Sequence, residues 1–280
     1  MDQDSARTGR FRRGPTIPPP SPSSTAVVTG ASSGIGVEIA RSLARRGHAV
    51  ALAARREERL RDLADELAEA HGVRTQAIEC DVTDPVARAE LVHRLDELGL
   101  DVEILVNNAG YGSGGLFHEL ELERELGMVR TNSEAMVAMC GLFVPGMVAR
   151  GRGAVLNTGS TIGFQPLPGE ATYSASKAFA LTFTESLHAE LIDKGVVVTA
   201  LCPGPVETDF MDDAAIADNA SSLPKFMWVD PADVAEQGVR GLERGRRVVI
   251  PGAANRIGAS LGRHVNRGVL LAAARRVLTR

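Results

Sequence analysis

Thr25-Ala-Val-Val28 runs directly into Thr29-Gly-Ala-Ser-Ser-Gly-Ile-Gly36, after which Val37, Ile39, Ala40, Leu43 and Ala44 recur at helical spacing. The stretch reads as strand, glycine turn and helix. Gly30 permits the tight turn, Gly34 a close backbone approach to a pyrophosphate, and Gly36 close packing of helix on strand. The phosphate then sits on the N–H groups of the first helical turn. The spacing is G-x-x-x-G-x-G, not the common G-x-G-x-x-G. A glycine-rich turn alone is more often only a turn, but here strand and helix flank it in the right order, which favours nucleotide binding.

The same alternation continues outward. His48-Ala-Val-Ala-Leu-Ala-Ala54 is a second buried strand, ending at Arg55-Arg56. An acid is expected near this point to bond the 2′-hydroxyl of an adenine ribose. None is there: Ala54 leaves room and Arg55 offers a planar fork for a 2′-phosphate, which points to NADP(H) over NAD(H). The competing reading is that Arg55 and Arg56 merely open the next helix, which runs from Arg59 to His71. Thr75 to Val82 is a third strand, whose end places Asp81 and Val82 against adenine. Pro85 to Leu98 is a helix, and Val102 to Val106 a fourth strand that delivers Asn107-Asn-Ala-Gly110. These asparagines suit ribose and backbone hydrogen bonds, and equally a structural turn. A helix from about Glu121 to Pro145 carries Asn132 in its interior, where asparagine is a poor helix former; its amide either bonds the backbone at a bulge or holds a water. Gly153 to Ser160 is a fifth strand. A helix follows to Asp193, and Val196 to Cys202 is a sixth strand that opens into Pro203-Gly-Pro-Val-Glu-Thr208. Repeated strand and helix imply the α/β class, with one doubly wound parallel β-sheet flanked by helices and ligands at the C-terminal edge of the strands.

Tyr173-Ser-Ala-Ser-Lys177 lies on the helix after strand five. The chain holds two tyrosines and only three lysines against 28 arginines, so a chance pair at this spacing has odds of roughly one in fifty. Four residues apart on a helix, the two side chains share a face. A cation near the phenol in a partly dry site favours the phenolate, and Ser160 supplies a neutral hydroxyl to hold a carbonyl or alcohol oxygen beside it. Together they make a proton-transfer site for carbonyl or alcohol chemistry. The bland reading is a surface helix that carries Tyr and Lys by accident.

The composition, 280 residues with 44% hydrophobic and 24% charged, is that of an ordinary soluble globular protein. Cys80, Cys140 and Cys202 are far apart, without C-x-x-C spacing or a histidine cluster. Neither a disulfide framework nor a metal site is expected, and the compartment reads as reducing. No apolar run is long enough to span a membrane and the N-terminus carries no apolar leader, so the protein is read as cytoplasmic. Residues 1 to 24, rich in Arg, Pro and Ser, are expected to be a disordered arm, residues 25 to 252 one globular domain, and residues 253 to 280 a basic amphipathic extension. The net charge of −4 divides unevenly, since residues 240 to 280 hold ten Arg and one Glu. The extension interleaves Ile257, Leu261, Val265 and Val269 with Arg256, Arg263 and Arg267. It is expected to pack on the acidic body of its own or a neighbouring subunit, with an anionic membrane surface as the competing partner. Nucleic acid is not expected, because the basic tails lack interleaved aromatics.

Taken together, these residues resemble the short-chain dehydrogenase/reductase family over roughly residues 25 to 250, through Thr29-Gly-x-x-x-Gly-x-Gly36, Asn107-Asn-Ala-Gly110, Asn132, Ser160, Tyr173-x-x-x-Lys177 and Pro203-Gly204. The resemblance implies a Rossmann-like, NADP(H)-dependent oxidoreductase that interconverts a carbonyl and a secondary alcohol on a small molecule. It implies that Ser160 orients the substrate oxygen and Tyr173 is the general acid/base. Lys177 would lower the tyrosine pKa and bind the nicotinamide ribose, and Asn132 would hold a water in a proton relay. Cofactor contacts are expected from Gly30, Ser32, Ser33, Gly34, Ile35 and Gly36; from Arg55, Arg56, Asp81 and Val82; from Asn107, Ala109 and Gly110; from Tyr173 and Lys177; and from Pro203, Gly204, Val206 and Thr208, the last two placed at the carboxamide end by the resemblance. It also implies a homodimer or homotetramer. The substrate pocket is expected from Tyr111 to His118, Thr161 to Glu170 and Val206 to Trp228, where Phe210, Met211, Phe226, Met227 and Trp228 suggest an apolar substrate, though a lid packing on its own protein would look the same. Two other functions compete. A non-catalytic NADP-binding scaffold would tolerate loss of Tyr173 or Lys177, and both are present. A sugar-nucleotide epimerase or dehydratase relative usually has more chain after Pro203-Gly204 than this one.

Overall fold

The computed structural model describes residues 16–208 and 223–278. Seven strands, β1 (Ser24–Thr29), β2 (Val50–Ala54), β3 (Thr75–Glu79), β4 (Asp101–Asn107), β5 (Gly153–Thr158), β6 (Val196–Leu201) and β7 (Val248–Val249), form one sheet in the order β3-β2-β1-β4-β5-β6-β7. Every pairing is parallel. Strands β1, β2, β5 and β6 are buried at every residue. That is why they read as unbroken apolar runs rather than as alternation. β7, two half-buried residues long, carries no such signal, so six strands are expected and seven are found.

The helices are α1 (Gly34–Ala44), α2 (Glu57–His71), α3 (Pro85–Glu97), α4 (Leu122–Val129), α5 (Ala135–Arg150), α6 (Ala171–Leu191), α7 (Pro231–Glu243), α8 (Ala253–His264) and α9 (Arg267–Leu278). Alternate residues of β1 serve opposite layers, as the two-residue period of a strand requires. Ala26 and Val28 pack with Ile39 and Leu43 of α1, Leu60 and Leu67 of α2, and Val234 and Leu242 of α7. Val27 packs with Leu91 and Leu95 of α3 and with Met139 and Phe143 of α5. Arg46, just past α1, fastens α7 by pairing with Glu236 at 2.8 Å and Glu243 at 2.7 Å. The winding reverses between β1 and β4, and a crevice opens there at the strand ends.

Two expectations are corrected. The long helix passes Pro145 and ends at Arg150, where Gly151 adopts a left-handed φ of 67°. Pro145 and Gly141 are both exposed, so the carbonyl that loses its N–H partner faces solvent and the helix survives. By length and hydropathy Leu122–Arg150 passes for a membrane span, but Met139, Phe143 and Met147 belong to the core beside β5. The N-terminal arm gives way to order before residue 24: Pro18 is buried, Ile17 packs on the α1 layer, and Ser24 already belongs to β1. Residues 1–15 lie outside the described residues. Of the extension, α8 packs one face on the body of its own chain. Its Asn255, Ala259 and Gly262 are buried, and Asn255 Nδ2 donates to the carbonyls of Met227 (2.9 Å) and Pro251 (3.1 Å).

Candidate active site

A cavity of about 1080 Å3 fills the crevice. At its floor Gly30 (φ 66°) and Gly34 (φ 56°) turn the chain from β1 into α1, both in the left-handed region that favours glycine. A side chain on Gly30 would meet the Ala109 backbone at 2.8 Å, and one on Gly36 would meet Gly30 O and, at 2.6 Å, Asn108 Nδ2. Thr29 Oγ1 locks the turn to β4, accepting from Asn108 N (3.0 Å) and Ala109 N (3.1 Å) while donating to Val106 O (3.1 Å).

Of the expected cofactor contacts, all but Gly36 and Asn107 line this cavity. Gly36 lies behind the turn, in the packing role foreseen for it. Asn107 is a correction: its Nδ2 donates to Asn157 Oδ1 (2.8 Å) and Cys140 Sγ (3.4 Å), so it faces the core. Its neighbour Asn108 takes the cavity side, and its Nδ2 donates to the carbonyls of Thr29 (3.3 Å) and Gly30 (3.4 Å). At the end of β2, Arg56 Nη2 reaches back to Ser32 Oγ (3.0 Å) and Ser33 Oγ (2.8 Å), while Arg55 stands exposed on the cavity wall. Burial pushes the Asp81 carboxyl up, but hydrogen bonds from Thr83 and the charge of Arg55 bring it below the usual value.

At the other end, Ser160 caps a short 3-10 turn (Thr161–Phe164), its Oγ accepting from Ile162 N (3.2 Å). α6 presents Tyr173 and Lys177, 7% and 5% exposed, to the end of β5. Lys177 Nζ donates to Thr158 O (3.0 Å) and lies 5.8 Å from the Tyr173 ring centroid. Burial shifts both groups toward their neutral forms. It raises the Tyr173 phenol, the Ser160 hydrogen bond pulling back only in part and the charge of Glu170 adding to the rise. It lowers Lys177 to about 8. In this geometry burial outweighs what lowers the Tyr173 phenol, which lies above the ordinary tyrosine value.

Asn132 sits in a π turn (Arg130–Glu134) between α4 and α5. Its amide bonds backbone at a bulge, the first of the two readings: Nδ2 donates to Tyr111 O (2.9 Å) and Ser176 Oγ (3.0 Å), and Oδ1 accepts from Tyr111 N (3.1 Å). Ser176 Oγ in turn donates to Tyr173 O (2.8 Å), which ties the bulge to α6.

Among the expected substrate contacts, Tyr111, Ile162, Leu167, Pro168, Glu170 and Met227 line the cavity, whereas Phe117 and His118 do not and Phe226 is 74% exposed. Phe210 and Met211 lie outside the described residues. Sequence reasoning missed Asn255, Gly258 and Ala259 of α8, and Arg124 and Arg130 beside the bulge. The signal available for α8 is one asparagine on a face otherwise made of Ala259 and Gly262. Cys80, Cys140 and Cys202 are free and buried.

A family model described as short chain dehydrogenase matches residues 24–218. The chain is 39% identical over 232 residues to a protein named putative ketoacyl reductase from Streptomyces coelicolor, covering 76% of this chain and 88% of that one. Among solved structures it is similar to a short-chain dehydrogenase from Sphingobium yanoikuyae in complex with NADPH, at 34% identity, a TM-score of 0.75, and coverage of 91% of this chain and 94% of that one. It is also similar to the bulky-bulky ketone specific alcohol dehydrogenase from Comamonas testosteroni, at 32% identity, a TM-score of 0.71, and coverage of 91% and 93%.

Proposed function

We propose, from the premise that the chain belongs to the short-chain dehydrogenase family and is an oxidoreductase of CH–OH and C=O groups, that it uses NADP(H) to interconvert apolar ketones and secondary alcohols through Ser160, Tyr173 and Lys177. The observation that carries this reading is the convergence of those three buried side chains on the same cavity that has the glycine turn at its other end.

The donor set fits the cofactor. Gly30 and Gly34 leave backbone open, and Ser32, Ser33, Arg55 and Arg56 offer hydroxyls and two guanidiniums beside Ala54, a position where an acid would repel a 2′-phosphate. That supports NADP(H) over NAD(H). When bound, the cofactor supplies or takes up the hydride. Ser160 Oγ orients the substrate oxygen. Tyr173, held protonated by burial, gives its proton to that oxygen in reduction and recovers it in oxidation. Lys177, fixed to the end of β5 through Thr158 O, would hold the ribose hydroxyls of the cofactor, and Asn132 holds the Tyr111 backbone and, through Ser176, the first turn of α6. Ile162, Leu167, Pro168, Leu223, Met227 and Ala259 on the cavity wall support an apolar substrate. The exposed Val137, Leu142 and Phe179 on α5 and α6 support a homodimer or homotetramer. The free, buried cysteines are in keeping with a reducing, cytoplasmic setting.

The test is NADPH oxidation against a panel of bulky ketones, aldehydes, ketosteroids and β-ketoacyl thioesters, repeated with NADH. Turnover of apolar ketones with NADPH preferred is the expected result. NADPH binding without turnover of any member would favour the scaffold reading.

A further inference from the structure

A second cavity, of about 420 Å3, lies between the end of α7, the edge strand β7 and Arg256 of α8. Arg240 and Arg244 line it from one side, Arg246 from the turn and Arg256 from α8, and its lining includes no acidic residue. Arg240 leans on Glu236 at 2.6 Å, whereas Arg244, Arg246 and Arg256 make no ion pair among the described residues. Three guanidiniums without an ion pair around one hollow favour an anion that completes them. Beside them stands an apolar ridge. With Asn255, Ala259 and Gly262 turned inward, a rotation of about 100° per residue puts Arg256 on the flank of α8 facing β7 and Ile257 and Leu261 outward. Ile257 is 63% and Leu261 60% exposed.

We propose that this face docks on an anionic phospholipid bilayer, with headgroup phosphates taken by Arg240, Arg244, Arg246 and Arg256 and with Ile257 and Leu261 entering the acyl boundary. The inner face of α8 packs on its own subunit, as expected of the extension; the outer face is what the bilayer covers. The apolar ridge decides between sources of phosphate, because a free phosphate compound would satisfy the arginines and leave Ile257 and Leu261 in water. Since α8 also lines the reaction cavity through Asn255, Gly258 and Ala259, docking sets one wall of that cavity on the membrane.

Co-sedimentation of the full-length protein with phosphatidylcholine vesicles, with and without phosphatidylglycerol, tests this. Two variants are compared, Arg244→Glu/Arg246→Glu/Arg256→Glu and Ile257→Ser/Leu261→Ser, with circular dichroism to establish that each folds. Wild type is expected to sediment with the anionic vesicles only and to resist displacement by inorganic phosphate. The triple variant should lose at least about 100-fold in partitioning, since each basic residue near an anionic surface contributes about fivefold and the three carboxylates add repulsion. The double variant, which leaves every charge in place, should weaken binding as well. Equal sedimentation with neutral vesicles, or unchanged binding by both variants, would overturn the proposal. Displacement by inorganic phosphate with the double variant unaffected would replace the bilayer with a soluble phosphate compound. Loss of the oligomer in the variants without any vesicle binding by wild type would assign the face to a second copy of the chain.

Discussion

Lys177→Met should make the cofactor-free protein more stable while removing its activity. The lysine is 5% exposed, and burial lowers it from 10.5 to about 8. At 1.36 kcal/mol per pKa unit, holding the ammonium in that site costs about 3 kcal/mol near neutral pH. Against this stands the bond from Nζ to Thr158 O at 3.0 Å, whose loss costs ~1–2 kcal/mol. Methionine fills nearly the same volume without the charge, so the net gain is about 1–2 kcal/mol, or a rise in Tm of roughly 2–8 °C. The pH dependence gives the sign. Below the folded pKa of about 8, folded and unfolded chains both carry the proton and the whole penalty is felt; between about 8 and 10.5 only the unfolded chain keeps it, so wild-type stability rises with pH. The variant has no such rise, and its advantage should shrink toward ~pH 10. Urea unfolding of both proteins near neutral pH and at ~pH 10 reads this out as a difference, in which the titrations common to both chains cancel. A variant less stable than wild type at neutral pH, or an advantage that does not shrink, would refute the reasoning.

Three further outcomes follow from the fold. Gly36→Ala should abolish NADPH binding and destabilise by ~1–3 kcal/mol, because its Cβ meets the Gly30 carbonyl, which is backbone, and Asn108 Nδ2, which is held by the carbonyls of Thr29 and Gly30; calorimetric titration with NADPH checks the first effect and thermal melting the second. Ala54→Asp/Arg55→Ala should exchange NADPH preference for NADH, with a loss on the order of 1.5–3 kcal/mol in NADPH binding; equal wild-type affinities for the two cofactors would count against the role given to Arg55. Hydrogen bonding to Arg46 holds Glu236 down at about 2, so the α1–α7 contact contributes stability above the unfolded carboxylate value of 4.5 and loses it as pH falls toward 2. Glu236→Gln should flatten that part of the acid-unfolding curve, and a curve identical to wild type would contradict the assignment.

The parallel sheet was legible because its central strands are buried on both faces and so appear as apolar runs between glycine turns. The cavity was legible wherever its lining follows a fixed spacing, as Ser160, Tyr173 and Lys177 do. Other features depend on contacts that no local pattern records. Asn107 and Asn108 are neighbours of the same type, and only strand alternation sends one to the core and the other to the cavity. Pro145 marks a helix end in a sequence, yet an exposed carbonyl partner lets the helix continue. Asn255 reaches the cavity from a helix far along the chain, through bonds to Met227 and Pro251 that exist only once the sheet has formed. Spacing shows that Lys177 shares a face with the phenol, but not the burial that raises the phenol.

The central claim is that Tyr173 transfers the proton while the cofactor is held elsewhere, and it is tested most directly by Tyr173→Phe. NADPH binding and NADPH oxidation are to be measured on the same preparations of variant and wild type, with the best substrate from the ketone panel. The account predicts binding unchanged within a few-fold and turnover reduced ~10²–10⁴-fold, the usual effect of removing a general acid. A variant that binds NADPH normally and keeps more than about one per cent of wild-type turnover would contradict it.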